Sequence, residues 1–486
     1  MIRILPALLL AFALAAPAPA QEDKPKQDPP RKDDAQEELA RRSKDMQAKM
    51  TEIRTLDFKK DVKLGVYTKK ELVDFLKAEI TKEMPQEKID RIQKAYSHFG
   101  LIPRDFNLLE ATLTLLGESI AGFYHPKTKE MRLIRPGEGG EIPGEKELEM
   151  MFKVKLEDVT LVHELCHAAQ DQHFELTTLP MDEEANDDLV AAIKGLVEGD
   201  ASIVGWKYCF KKQFDMFIGP FNDQYKTGMA QGKAAELPAY MRKSLSFPYG
   251  YGTDFVLAVW RNAEDDWSAV SKMFEDPPSS TEQILHPKKY YQARDNPTLL
   301  TIDTKALGGD WKEIYTNVHG EFGTRLLLAE FKAQKTRDIE KACAGWDGDR
   351  FHTFERDGKV LTVWMTTWDS EEDAVEFFEA YGRLIEAKYE GAAREASDQK
   401  LAFDAKDKGG RVLIERRGSD VLVFDGADEA ALGKANAVWT SAKKAELKKV
   451  ERLKLLWQCE KHATERSSKA GKCDVCGGEL KKREDK

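Results

Sequence analysis

Past its first twenty residues the sequence has no apolar run approaching the eighteen or so residues that a membrane helix needs, so no later anchor is expected. Positive charge is not in excess either: 75 Lys and Arg against 85 Asp and Glu leave a net charge of -10, which argues against nucleic acid as a partner. Cysteine is scarce, six residues in 486, and the spacing forms no disulfide framework. Cys459, Cys473 and Cys476 crowd into the tail with His462, and Cys166 lies inside a histidine motif, which leaves Cys209 and Cys343 as the one candidate bridge. No internal repeat stands out.

What is present begins as an address label. Met1-Ile2-Arg3 supplies a positive start, residues 5–16 an apolar stretch too short to span a bilayer, and Ala18-Pro19-Ala20 a small-x-small cleavage site. Residues 1–20 thus read as a signal peptide, and the mature chain is expected to be exported, periplasmic or secreted. Residues 21–50, rich in Lys, Asp, Glu, Gln and Pro, read as a charged linker or a fraying helix. Leu72, Phe75, Leu76, Ile80, Ile89, Ile92 and Tyr96 then recur at helical spacing up to a stop at Gly100. Residues 120–134 read as two strands around a turn at Pro126, and residues 158–173 and 187–210 as helices. After Pro297 the texture changes to strands at 360–365, 411–415 and 421–424 with a helix at 370–389, a second α+β region.

His163-Glu164-Leu165-Cys166-His167 places two imidazoles on one helix about 40° apart and roughly 6 Å along its axis, so both reach one cation. Glu164 stands at the edge of that face, placed to take a proton from water activated by the ion rather than to bind the ion. Val159, Val162, Cys166 and Ala169 form an apolar stripe that packs this helix into a core. Glu198 is the expected third ligand, on a helix whose Ala191, Gly195, Ser202 and Gly205 form a small-residue face toward the histidine helix. Asp200 is about 200° round from it and suits an orienting or capping role. His286 and Tyr290 are the candidates to stabilise a developing oxyanion, with Tyr249 and Tyr251 next.

With these residues, the segment from about residue 51 to 291 resembles exported bacterial zincins of the gluzincin type, in which HExxH is followed on a later helix by a Glu ligand. His163, Glu164, His167 and Glu198 carry the match, preceded by the strand region 122–134. The resemblance implies an active-site helix under a small sheet, a catalytic zinc ion, and hydrolysis of a peptide or protein substrate bound in the cleft. The sequence departs from the thermolysin pattern in having Glu198-Gly199-Asp200 instead of a Glu followed by Asp four residues on. His173, ten residues after His163, reproduces the histidine spacing of metzincins and is the rival third ligand. Gln170 stands where metzincins have the Gly that lets the chain turn back; a continuing helix would carry His173 roughly 15 Å along the axis and out of reach.

The tail pairs Cys459-x2-His462 with Cys473-x2-Cys476, enough for a closed tetrahedral site. Residues 457–480 resemble the short heavy-metal-binding domain of bacterial metal exporters. Lys461 and Gly478 replace the Met residues usual there, which shifts the expected ion from copper or silver towards zinc, with another heavy metal as the alternative. The expected architecture is therefore α+β: a zincin-like unit at 51–297, a smaller α+β domain at 298–450 that could engage a protein partner, and a metal-ribbon tail at 457–480. Two functions follow, a zinc peptidase or a catalytically retired zincin scaffold that binds metal or a partner in the cell envelope. The intact Glu164 favours the enzyme, because a retired scaffold has no chemical need for the base.

Overall fold

The computed structural model describes residues 32–119, 122–135, 145–228, 235–308, 310–405, 409–461, 466–473 and 476–482. The expected signal peptide and the first part of the expected linker lie outside these residues. Of the two readings of that stretch its second part follows the helix: residues Lys32–Arg54 form α1. Leu39, Ser43, Met46, Met50 and Ile53 recur at steps of four and three, and this sparse stripe packs α1 against the rest.

Strand β1 (Lys63–Tyr67) leads into α2 (Lys69–Glu83), whose Thr68 and Glu71 form a reciprocal capping box. The single helical pattern of residues 72–96 is divided, because Pro85 ends α2 and starts α3 (Gln86–Phe99). Gly100, at φ 89°, terminates α3 as expected. After α4 (Leu108–Ser119) come β2 (Gly122–His125) and β3 (Glu130–Ile134), the expected strand pair, in a sheet of order β1-β3-β2 that leaves β2 at an edge. Helix α5 (Glu145–Phe152) precedes the histidine helix α6 (Leu156–Phe174).

Helix α7 (Asp187–Phe210) runs through the centre, buried along most of its length. Then follow α8 (Phe214–Lys226), α9 (Ala239–Asn262), α10 (Trp267–Met273), α11 (Thr281–Leu285) and α12 (Lys288–Tyr291). The small face of α7 serves two neighbours. Gly205 meets Val159 and His163 on α6, whereas Gly195 and Gly199 press on Gly252 of α9: a Cβ on Gly199 would lie 2.3 Å from the Gly252 carbonyl oxygen. That contact explains Gly252 inside α9 despite the low helix propensity of glycine, and the close approach of Lys226 on α8 does the same for Gly250.

The remainder holds β4 (Thr298–Thr301), β5 (Lys312–Asn317), α13 (Gly320–Glu330), α14 (Thr336–Cys343), β6 (Trp346–Arg356), β7 (Lys359–Trp368) and α15 (Glu371–Lys388). Strands β8 (Ala393–Ser397), β9 (Lys400–Ala405), β10 (Gly410–Arg417) and β11 (Asp420–Ala427) complete a sheet of order β5-β6-β7-β11-β10-β9-β8. Both faces are covered. Along β11, Val421 and Val423 join the main core while Leu422 and Phe424 face a smaller one, closed by α16 (Glu429–Leu432), α17 (Ala435–Ser441) and the β4 pairing with β12 (Lys443–Glu446). The chain is thus α+β, as expected, but the regions before and after residue 297 share one core: α3 packs on β5 and β7, with Phe99 edge-on to Phe351 at 5.0 Å. Cys209 and Cys343 do not form the candidate bridge. Both are buried and free, Cys209 near Lys211 and Cys343 near Glu321 and Arg325.

From β12 the chain returns to the first region. Val450 is buried, and Arg452 donates hydrogen bonds to Thr178 Oγ1 at 2.8 Å and to the Glu175 carbonyl at 3.2 Å, just beyond the end of α6. The tail then forms a small sheet of β13 (Trp457–Gln458), β14 (Arg466–Ser467) and β15 (Lys481–Lys482).

Candidate metal centre

The apolar stripe of α6 is buried as its spacing requires, and this directs both motif histidines at α7. His163 Nε2 and His167 Nε2 are 3.0 Å apart, and Glu198 Oε2 lies 3.3 Å from the first and 3.4 Å from the second. Ligand atoms bound about 2.0–2.2 Å from a tetrahedral zinc ion are spaced by roughly 3.3 Å, so the triangle fits one such ion. Two imidazole nitrogens this close also need a proton or a cation between their lone pairs. The cluster contains His163, His167 and Glu198, but not Glu164.

Glu164 stands beside the triangle, fully buried. The Tyr124 N–H, on the edge strand β2, donates to Glu164 Oε2 at 2.7 Å, whereas Oε1 is buried without a hydrogen-bond partner. Burial pushes this carboxyl up to about 8, against the opposing pull of His167 and the Tyr124 amide. Burial also depresses the pKa of His163. For His167 burial acts the same way, but Glu198, Glu164 and Gln170 outweigh it and raise the value. Burial would raise the Glu198 carboxyl, and the two imidazoles reverse that, holding it below the ordinary carboxylate range.

The rival ligand is elsewhere. Helix α6 continues past Gln170 to Phe174, and His173 Nε2 pairs with the Asp57 carbonyl at 2.7 Å. Asp200 takes the orienting position: it accepts from Gln170 Nε2 at 2.9 Å and from Arg54 Nε at 2.6 Å. His286 and Tyr290 are not brought to the triangle. His286 Nε2 pairs with Glu321 Oε1 at 3.0 Å, and the Tyr290 hydroxyl donates to the Asp276 carbonyl at 2.8 Å, because α11 and α12 turn these side chains towards α13 and the segment after α10. Tyr251 sits against Phe247 and Phe322. Tyr249, on α9, does reach the centre, its ring stacked on His163 at 6.4 Å between centroids. Sequence reasoning missed Gln170 as a partner, although it lies three residues after His167. It had no signal for Arg54, 146 residues from Asp200 in the chain.

In the tail, the sulfurs of Cys459, Cys473 and Cys476 converge, with Cys459 Sγ 3.7 Å from Cys476 Sγ. That is the spacing of two thiolates on a tetrahedral zinc ion with bonds of about 2.3 Å. His462 lies outside the described residues. A third cluster, the acidic Glu282, Asp295 and Asp369, converges on the Lys289 ammonium at 2.6, 2.8 and 2.9 Å, so a cation is already built in.

No helix among the described residues is long and apolar enough to cross a membrane. Residues 309–436 match a family described as a domain of unknown function (DUF8575), a stretch that holds all seven strands of the large sheet and none of the histidine centre. No curated protein and no solved structure matches the chain.

Proposed function

We propose that the chain is a zinc-dependent peptidase, with His163, His167 and Glu198 as ligands and Glu164 as general base. The reading is carried by the triangle of donor atoms at 3.0, 3.3 and 3.4 Å beside a buried carboxylate oxygen that has no partner. A zinc ion bound there would polarise water and a peptide carbonyl. His163 and His167 present Nε2 lone pairs and Glu198 one carboxylate oxygen, three ligands being the number that leaves a catalytic zinc an open position. The Tyr124 amide immobilises Glu164 Oε2, so Oε1 is the atom that receives and returns a proton. A carboxyl raised by burial towards neutrality suits both halves of that exchange. Of the tyrosine and histidine candidates to stabilise a developing oxyanion, Tyr249 is the one whose ring lies beside His163, at 6.4 Å between centroids.

The reading includes export by residues 1–20 and a second zinc ion in the tail, held by Cys459, Cys473 and Cys476 with His462 as fourth ligand. It is tested by Glu164→Gln assayed on unfolded protein and peptide libraries. Hydrolysis should fall by about 10²–10⁴-fold, the usual contribution of a general base, while zinc per chain stays at the parent level. Full activity in that variant overturns the mechanism. Burial favours the second reading, a retired scaffold: Glu164 and His167 are 0% exposed and His163 only 7%. A parent that binds zinc at the histidines and hydrolyses neither library would select it.

A further inference from the structure

His167 Nδ1 lies 2.8 Å from Gln170 Oε1. The other end of that amide, Nε2, faces two acceptors, Asp200 Oδ2 at 2.9 Å and the Val197 carbonyl at 3.1 Å. Neither acceptor has a proton to give when Asp200 is ionised, so the amide has one orientation: nitrogen towards α7 and oxygen towards the imidazole. The imidazole must then carry its proton on Nδ1, which leaves the Nε2 lone pair facing His163 and Glu198. Asp200 is fixed from its far side by Arg54, whose guanidinium stacks over Trp267 at 4.7 Å and reaches Ser271 Oγ at 3.3 Å. His167, Gln170, Asp200 and Arg54 are all 0% exposed. A buried carboxylate needs a counter-charge and saturated lone pairs, and here α1 supplies the first and Gln170 part of the second.

We propose that Gln170 is a positioning residue that sets the tautomer of His167, held in its working orientation by Asp200 and Arg54, so that the N-terminal helix α1 belongs to the metal centre. The proposal rests on the metallopeptidase reading for its purpose but not for its geometry. An aliphatic side chain at 170 would leave the His167 Nδ1–H without an acceptor and free the ring to take the opposite tautomer or rotate. Partners of this kind change metal affinity by about 10–100-fold in known metal sites. A pair of substitutions, Gln170→Glu with Asp200→Asn, keeps an acceptor on His167 and reverses donor and acceptor between positions 170 and 200, at the cost of the bond to the Val197 carbonyl, so it should restore most of what Gln170→Leu removes.

The test uses the full chain, labelled with ¹⁵N-histidine and freed of metal, at a pH high enough for its imidazoles to be neutral. In the parent His167 should report the Nδ1–H form. Gln170→Leu should shift it towards Nε2–H and weaken zinc binding at the histidines about 10–100-fold, read by competition with a chromogenic chelator. The paired substitution should return both readouts towards the parent. A His167 that stays in the Nδ1–H form in Gln170→Leu overturns the proposal, and so does unchanged zinc affinity. If Gln170→Leu fails to fold, the paired variant decides alone, and loss of the Nδ1–H form there overturns the proposal. If the tautomer responds as described but the parent holds no zinc at the histidines, the relay stands and the peptidase reading fails instead.

Discussion

At the level of single residues, helix geometry decides which of two candidates stands beside the two imidazoles. Glu198 Oε2 sits within 3.4 Å of both imidazole nitrogens, whereas the His173 ring is tied to the Asp57 carbonyl one helical stretch away. Replacing Glu198 by Ala should therefore lower cobalt or zinc affinity at the histidines by at least about 100-fold, more than loss of an outer-shell partner costs, while His173→Ala leaves it unchanged. Cobalt absorption separates this centre from the tail, because only thiolates give sulfur-to-cobalt charge transfer; metal lost with His173 and kept without Glu198 would overturn the assignment. His163, Glu164 and His167 were legible in the sequence because helical periodicity fixes relative directions within one helix, and Glu198 because it shares a face of the next helix with small residues. His286 and Tyr290 were not, since their directions depend on Glu321 and Asp276, partners that no local pattern announces.

Among the elements, the glycine contact between α7 and α9 fixes how Glu198 and Tyr249 approach the histidines. A Cβ at Gly199 would meet the Gly252 carbonyl oxygen at 2.3 Å, backbone against backbone, so neither helix can yield by moving a side chain. Gly199→Ala should destabilise the protein by about 1–3 kcal/mol, the usual cost of overpacking, and weaken metal binding with it. Gly205, on the same helix, provides the contrast, because a Cβ there would stand at an ordinary 3.5 Å from Val159: Gly205→Ala should stay within about 1 kcal/mol of the parent, the gain in helix propensity offsetting the closer packing. Thermal unfolding of both variants checks the pair, and equal shifts would remove the packing argument. Helices α6 and α7 were legible to within two residues because apolar spacing and end signals agree there. Helix α9 was not, since Pro248, Gly250 and Gly252 read as breakers when the partner glycines on α7 are unknown. Helix α1 was legible only as the alternative to a linker, because its charge masks a stripe of only five inward positions.

For the whole molecule, the texture change at Pro297 correctly marked a second sheet but not its dependence on the first region. Contacts across that point are buried and polar as well as apolar. The Asp187 backbone N–H donates to Asn317 Oδ1 at 2.8 Å across it, and Asp188, held within the first region by the Thr281 backbone N–H at 3.0 Å and the Thr281 hydroxyl, meets Gly320, at φ 69°, so closely that a Cβ there would overlap the carboxylate. Residues 32–297 alone should therefore fail to unfold cooperatively, which calorimetry would show. The same junction makes stability depend on pH. Burial lifts the Asp188 carboxyl from 3.8 to about 7; the Thr281 hydrogen bonds oppose this rise, and Asp349 and Glu321 reinforce it. The folded protein therefore holds this proton more tightly than the unfolded chain does. Its stabilising contribution is complete below about pH 4 and is lost as pH rises through about 7, at about 1.4 kcal/mol for each pH unit between those limits. Asp188→Asn has no proton to lose, so its stability relative to the parent should increase by a few kcal/mol between about pH 4 and pH 8 and level off above that. The other titrating groups are common to both proteins, so the difference in urea stability reads Asp188 together with its coupling to Asp349 and Glu321. Parallel stability curves across that range would mean that the carboxylate is charged in the folded state and that the junction tolerates it.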